Sequence, residues 1–264
     1  MGNPAQHRTK KRFGQHFLHD QQVIKQIINA VQISDGQTLV EIGPGEGAIT
    51  MPLLQKFNQL TAIELDRDLI HHLSQKSKLY GELNLINSDI LNIDFESEFA
   101  NKSLSVVGNL PYNISTPLLF HLMKFNHMIS SMTFMVQQEV ANRITASVGD
   151  KSYGRLSIMM QYYCRCDYLF HVPPESFNPP PKVDSAVILL TPHAEQNTDL
   201  LNKPLFDDLV KTAFSQRRKT IRNSLSKMVE AKHFELSAIN PKLRAENLSL
   251  EQFITLSNTV HNHA

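Results

Sequence analysis

The chain has 264 residues, 41% of them hydrophobic, with 26 Lys and Arg set against 25 Asp and Glu and a net charge of +1. That length and apolar content suffice for a full core in one large domain or two unequal ones, and no run approaches the ~20 apolar residues of a membrane span. The near-neutral balance excludes a chain that holds nucleic acid by bulk charge, and two cysteines, Cys164 and Cys166, are too few for a disulfide framework or a zinc site of their own.

Residues 1 to about 20 form a basic arm (Arg8, Lys10, Lys11, Arg12) without the apolar middle of a secretory signal, so the cytoplasm is the expected compartment. Asp20 is placed to cap a helix running through Val23, Ile24, Ile27 and Ile28 to Val31. From 38 to 191, strand-like and helix-like segments alternate. The strands are predicted at 38–42, 60–64, 83–87, 104–108, 131–136, roughly 164–172, and 183–190. Such alternation implies an α/β, doubly wound sheet. After Pro192 the chain turns polar, which marks a linker, and residues 199 to about 261 carry helical periodicity alone. The expected organisation is therefore 1–195 as an α/β domain and 196–264 as a small helical one. Nothing suggests a coiled coil, and a monomer is expected. The twelve histidines make no metal-ligand pattern with the two cysteines, so no metal is implied.

The most informative tetrapeptide is Asn109-Leu110-Pro111-Tyr112, directly after the apolar Leu104, Val106 and Val107. The amino group of adenine donates two hydrogen bonds, which an Asn side-chain oxygen and a neighbouring main-chain carbonyl can accept. Pro stiffens the turn, and the Tyr ring offers a face on which a base can stack. An ordinary turn at a strand end reads much the same, so its company decides. Glu41-Ile42-Gly43-Pro44-Gly45-Glu46-Gly47 stands between a strand and a helical run, where glycines let a ligand approach the backbone. The next strand-like segment ends in Glu64 and Asp66, about 20 residues past the first glycine, where an acidic side chain can take two ribose hydroxyls. Asp89, at the end of the third strand, can accept an adenine amino group while Ile90 covers the ring. In a parallel sheet all these strand ends line one crevice. Gly43, Gly45 and Ala48 also satisfy a dinucleotide fingerprint, so an NAD-dependent oxidoreductase stays open; Glu41 and Asp89 weigh against it.

The chain resembles the small-subunit ribosomal RNA adenine dimethyltransferases of the bacterial KsgA (RsmA) family nearly end to end. The carrying segments are 12–18 (Arg-Phe-Gly-Gln-His-Phe-Leu), the glycine loop, 108–117, Tyr153 to Ser157, Phe177 to Ser185 and Phe214 to Asn223. The resemblance implies a seven-stranded methyltransferase (Rossmann-like) sheet whose last strand is antiparallel, with the small carboxy-terminal helical domain contacting RNA. It implies S-adenosyl-L-methionine as cofactor, with Gln15, His16, Leu18, Gly43, Gly45, Glu64, Asp89, Ile90 and Asn109 around it. It implies a substrate of two adjacent adenosines near the 3′ end of 16S ribosomal RNA, within the small ribosomal subunit or its precursor. An antibiotic-resistance methylase acting on large-subunit RNA and a mainly non-catalytic assembly factor stay as alternatives. Only the helical segment and the Phe214–Thr220 element favour the small subunit.

The N6 lone pair of adenine is delocalised into the ring. Bonds from the amino hydrogens to Asn109 and to the Leu110 carbonyl favour a localised lone pair as attack develops, and catalysis is then mostly positioning. A base in a helix cannot reach such a cleft and must be unstacked. Tyr112 would hold one face of it and Phe177, on the Asn178-Pro179-Pro180-Pro181 turn, the other; the plainer reading of Phe177 is a core residue. Arg217, Arg218, Lys219 and Arg222 fall on a predicted helix, with Ile221 and Leu225 turned to the core, as a phosphate-contacting face or simply a solvated one. His16 departs from the family's usual Asn. A protonated imidazole facing the cofactor's carboxylate would tighten binding as pH falls, and one facing the sulfonium would weaken it; the carboxylate is favoured, because like charges repel.

Overall fold

The computed structural model describes residues 16–194, 199–216 and 218–263. Gln15 and Arg217, both expected at functional surfaces, lie outside them, as does most of the basic arm.

In chain order, β1 (Phe17–Leu18) leads to α1 (Gln21–Ala30), β2 (Thr38–Ile42), α2 (Thr50–Phe57), β3 (Gln59–Glu64), α3 (Arg67–Lys76), β4 (Glu82–Asn87) and a short α4 (Phe95–Glu98). Then come β5 (Leu104–Asn109), α5 (Ser115–Met123), β6 (Ile129–Gln137), α6 (Gln138–Ile144), α7 (Arg155–Tyr163), β7 (Cys164–Val172), β8 (Phe177–Asn178) and β9 (Ser185–Pro192). Among the described residues one seven-stranded sheet runs in the order β4-β3-β2-β5-β6-β9-β7. The strands from β2 to β6 pair in parallel, and β9 runs antiparallel to β6, with Met132 opposite Leu190 and Gln137 opposite Ser185. This is the doubly wound arrangement expected, with each predicted strand present.

Local chemistry explains the elements. Asp20 accepts from the amides of Gln22 and Val23 and so starts α1, whose Val23, Ile24, Ile27 and Ile28 stripe is buried. That stripe packs with Leu53 and Leu54 of α2 and with Val107, Met135 and Val187 of three adjacent strands in one apolar cluster. Gly108 is required by the sheet itself: a Cβ there would lie 2.5 Å from the carbonyl oxygen of Ile42 on the neighbouring strand. A feature that no periodicity announced is the two-residue ladder of β1 and β8, antiparallel, pairing Phe17 with Asn178 and Leu18 with Phe177.

The chain forms two compact units, one of residues up to Ala141 with Asp167–Pro192, the other Asn142–Cys166 with His193–Ala264. The final stretch of the second unit opens at His193, near the boundary expected at 195/196, and that unit also takes in 142–166, which the sequence assigns to the α/β domain. The reason lies in its contacts. Tyr153 is buried and donates its hydroxyl to the Leu248 carbonyl at 3.0 Å, and the Tyr162 ring packs on Phe206, centroids 5.4 Å apart. The rest of this unit comprises α8 (Lys203–Phe214), α9 (Ile221–Ser224), α10 (Ala231–Leu236) and α11 (Leu250–Asn262). The helix predicted through Arg217–Arg222 is not continuous. Arg218 and Lys219 lie in the turn between α8 and α9, because Thr220 bridges to Arg244 and the Ile221 amide donates to the Leu243 carbonyl at 2.6 Å. Ile221 and Leu225 are nevertheless buried, as expected.

Candidate active site

The parallel strands deliver their carboxyl ends to one side of the first unit, and a cleft opens there. After β2 the chain turns through Gly43 (φ 67°) and Gly45 (φ 57°), a left-handed backbone that glycine adopts without strain. The turn is held by bonds from the Gly43 amide to the Ile63 carbonyl at 3.0 Å and from the Gly45 amide to Glu64 Oε2 at 3.3 Å. The other Glu64 oxygen accepts from the Asp66 amide at 2.9 Å, so this carboxylate fastens the glycine loop to the start of α3 while lining the cleft. After β4, Asp89 Oδ1 accepts from the Leu91 amide at 3.0 Å, which fixes the carboxylate beside Ile90.

At the end of β5, the Leu110 amide donates to the Met135 carbonyl at 3.0 Å and pins the Asn109–Tyr112 turn to β6. The Asn109 amide nitrogen donates to the His16 carbonyl at 3.3 Å. That bond orients the side chain and leaves its oxygen, an acceptor, on the far side. The Tyr112 hydroxyl and Ser185 Oγ are 2.6 Å apart, and the Tyr112 ring is stacked with His16, centroids 5.8 Å apart and planes at 26°.

Two carboxyls sit in this cleft under strong burial. Glu41 is 1% exposed, and desolvation, with repulsion from Glu64 behind it, pushes its pKa from 4.5 up to about 8 despite a neighbouring Thr50 hydroxyl. Its Oε2 has no hydrogen-bond partner among the described residues. Burial also raises Glu64, against the pull of the Asp66 and Gly45 amides.

Of the expected residues, the structure brings His16, Leu18, Gly43, Gly45, Glu64, Asp89, Ile90, Asn109, Leu110, Pro111 and Tyr112 to this one cleft. It does not bring Phe177. That ring is 2% exposed and belongs to the apolar cluster with Leu18, Val23 and Ile24. Arg218, Lys219 and Arg222 are exposed in the second unit. Glu41, expected at a strand end on the crevice but without a role toward the cofactor, is a wall of the cleft, as are Leu65, Asp66, Ser88 and Asn113. Their position just past strand ends was the available signal. Among the described residues no three His, Cys, Asp or Glu side chains come together as a metal site would require.

A sheet of this order, with glycines and acids at successive strand ends around one crevice, defines a Rossmann-like methyltransferase. Comparison with known proteins makes the class specific. The model of the ribosomal RNA adenine dimethylase family matches residues 6–262, and the chain belongs to that family. It is 50% identical over 254 residues to a protein of Alcanivorax borkumensis named ribosomal RNA small subunit methyltransferase A, covering 96% of this chain and 90% of that one. A protein of the same name from Saccharophagus degradans is 49% identical over 255 residues, covering 96% and 95%. Among solved structures, a dimethyladenosine transferase from Plasmodium falciparum superimposes with a TM-score of 0.78 at 27% identity, over 91% of this chain and 96% of that one. The 23S rRNA methyltransferase ErmE shares the fold, with a TM-score of 0.74 at 24% identity over 93% and 99%. The protein is thus an enzyme of ribosomal RNA adenine dimethylation, and the oxidoreductase alternative is set aside.

Proposed function

We propose that the protein transfers methyl groups from S-adenosyl-L-methionine to N6 of two adjacent adenosines in a hairpin loop near the 3′ end of 16S ribosomal RNA, giving N6,N6-dimethyladenosine during small-subunit biogenesis. The observation that carries this reading is the Asn109 side chain, which lines the cleft with its nitrogen tied to the His16 carbonyl, so that its oxygen is the atom left to accept from a base. No described helix is long and apolar enough to cross a membrane, and we place the enzyme in the cytoplasm, as a monomer acting on the precursor subunit.

The cleft fits the cofactor. The orphaned, buried Glu41 oxygen calls for a donor, which the ammonium of a methionine moiety supplies. The glycine turn gives close backbone approach; Glu64 and Asp89 would take the ribose hydroxyls and the adenine amino group. Once bound, the sulfonium furnishes an already activated methyl group. The protein's part is placement. Asn109 Oδ1 and the Leu110 carbonyl accept the two amino hydrogens of the target base, which localises the nitrogen lone pair. The Tyr112 ring carries the base. The Tyr112 hydroxyl, engaged by Ser185, is not arranged as a proton acceptor, so the proton leaves after transfer. Arg218, Lys219 and Arg222 contact RNA phosphates.

The test is incubation with labelled methyl donor and unmethylated small subunits, followed by nucleoside analysis. Label in N6,N6-dimethyladenosine of the small-subunit RNA is the expected result. Label confined to large-subunit RNA, or none above background, overturns it.

A further inference from the structure

The segment Phe177 to Ser185 holds one residue whose purpose neither the sheet nor the cleft has yet explained. Ser185 opens β9 opposite Gln137 and is fully buried. A serine at an interior strand position packs less apolar surface than the Ala, Val and Ile that follow it in β9, so its hydroxyl must offset that loss. The hydroxyl lies 2.6 Å from that of Tyr112, across 73 residues of sequence. Both backbones are themselves fixed. The Ser115 hydroxyl donates to the Tyr112 carbonyl at 3.2 Å, and the Gln138 amide donates to the Asp184 carbonyl at 2.9 Å, just before Ser185. A ring held by its Cβ at one end and by its hydroxyl at the other cannot swing its long axis, and the stacked His16 ring opposes the remaining turn about that axis.

We propose that Ser185 is a positioning residue for the methyl transfer: its hydroxyl fixes the long axis of the Tyr112 ring and, through it, the position of the stacked base relative to the methyl donor. This rests on the reading of Tyr112 as the base platform. It also explains why the platform is a tyrosine, since phenylalanine offers the same face without the second anchor. Methyl transfer needs the nucleophile in line with the breaking bond, and a displacement of about 1 Å costs up to a hundredfold.

The experiment compares Tyr112→Phe, Ser185→Ala, the double variant and Tyr112→Ala in the full-length enzyme. Single-turnover methylation of unmethylated small subunits is measured beside S-adenosylhomocysteine affinity and thermal melting. Tyr112→Phe and Ser185→Ala should each lower the transfer rate by about fivefold to twentyfold, as expected for one lost hydrogen bond. Subunit and S-adenosylhomocysteine affinities should stay near the parent values, and the double variant should be no worse than either single one. Losses that multiply in the double variant overturn the proposal, because the two hydroxyls then act separately. A fully active Tyr112→Phe also overturns it, and does so even where Ser185→Ala fails to fold. A fully active Tyr112→Ala sinks the platform reading itself. An inactive Tyr112→Ala beside a fully active Tyr112→Phe leaves the platform standing and removes Ser185 alone.

Discussion

His16 Nδ1 lies 2.8 Å from the carbonyl oxygen of Pro179, joining residues 163 apart in sequence. A carbonyl only accepts, so Nδ1 carries the proton in the neutral ring and in the protonated one alike. Nδ1 is therefore the donor that ties the cleft wall to the proline turn.

From this link, His16→Ala should weaken S-adenosylhomocysteine binding by about fivefold to tenfold, the cost of one hydrogen bond. His16→Asn, which keeps a side-chain donor for Pro179, should stay near the parent. Calorimetric titration measures both. An unchanged affinity in His16→Ala would remove the tether from the account of binding.

Glu41 sets a pH dependence. Its raised pKa means that the folded chain keeps a proton which the unfolded chain releases. The stabilisation is complete below about 4.5 and is lost as pH rises to about 8. Urea midpoints should fall with pH through that window, and fall less steeply in Glu41→Gln. Cofactor affinity should move the opposite way, rising with pH as the carboxylate forms to meet the ammonium. Equal urea slopes in the two proteins would remove Glu41 from the account.

Glycine replacements separate sheet from loop. Gly108→Ala drives a Cβ against the Ile42 carbonyl, so it should cost about 1–3 kcal/mol or more and lower the melting temperature. Gly154→Ala, with open space around its Cβ position, should be nearly neutral. Differential scanning calorimetry compares them; a tolerated Gly108→Ala would mean that the β2–β5 register is wrong.

Phe177→Ala should destabilise by about 3–5 kcal/mol, as a buried ring lost from the core does. Asn109→Ala should leave the fold intact and lower turnover more than RNA affinity, because its bonds strengthen only as the amino group reacts. Unfolding curves and single-turnover rates tell the two apart. A Phe177→Ala protein of parental stability with no methyl transfer would return that ring to the base.

Replacing Arg218 and Arg222 with Gln should flatten the salt dependence of RNA binding by about 0.7 to 0.9 log units per lost phosphate contact. An unchanged slope, read by titration over a salt series, would make them solvated residues.

The sheet was legible because strand periodicity and glycine turns are local properties, and the strand-end acids follow from parallel topology alone. What stayed hidden depends on distant partners. Phe177 reads as an aromatic before a proline turn whichever way it points, and only its pairing with Leu18 sends it inward. The basic run has helical periodicity, yet Thr220 meets Arg244 and the helix breaks. Ser185 is one small polar residue in an apolar strand until the Tyr112 hydroxyl is placed against it.

The second unit is drawn from two separate stretches of chain, and this bears on how the enzyme can be dissected. Its Tyr153 and Tyr162 come from a stretch inserted between β6 and β7, while their partners Leu248 and Phe206 come from the carboxy-terminal one. Cutting after Pro192 therefore does not release an intact catalytic half. It strands an insertion whose Tyr153 loses the Leu248 carbonyl and whose Tyr162 ring loses Phe206, a fragment suited to aggregation rather than assay. Nor can the carboxy-terminal helices be exchanged alone for those of a relative with another RNA target. The transferable module is discontinuous, and a working chimera must carry residues 142–166 along with 193 onward.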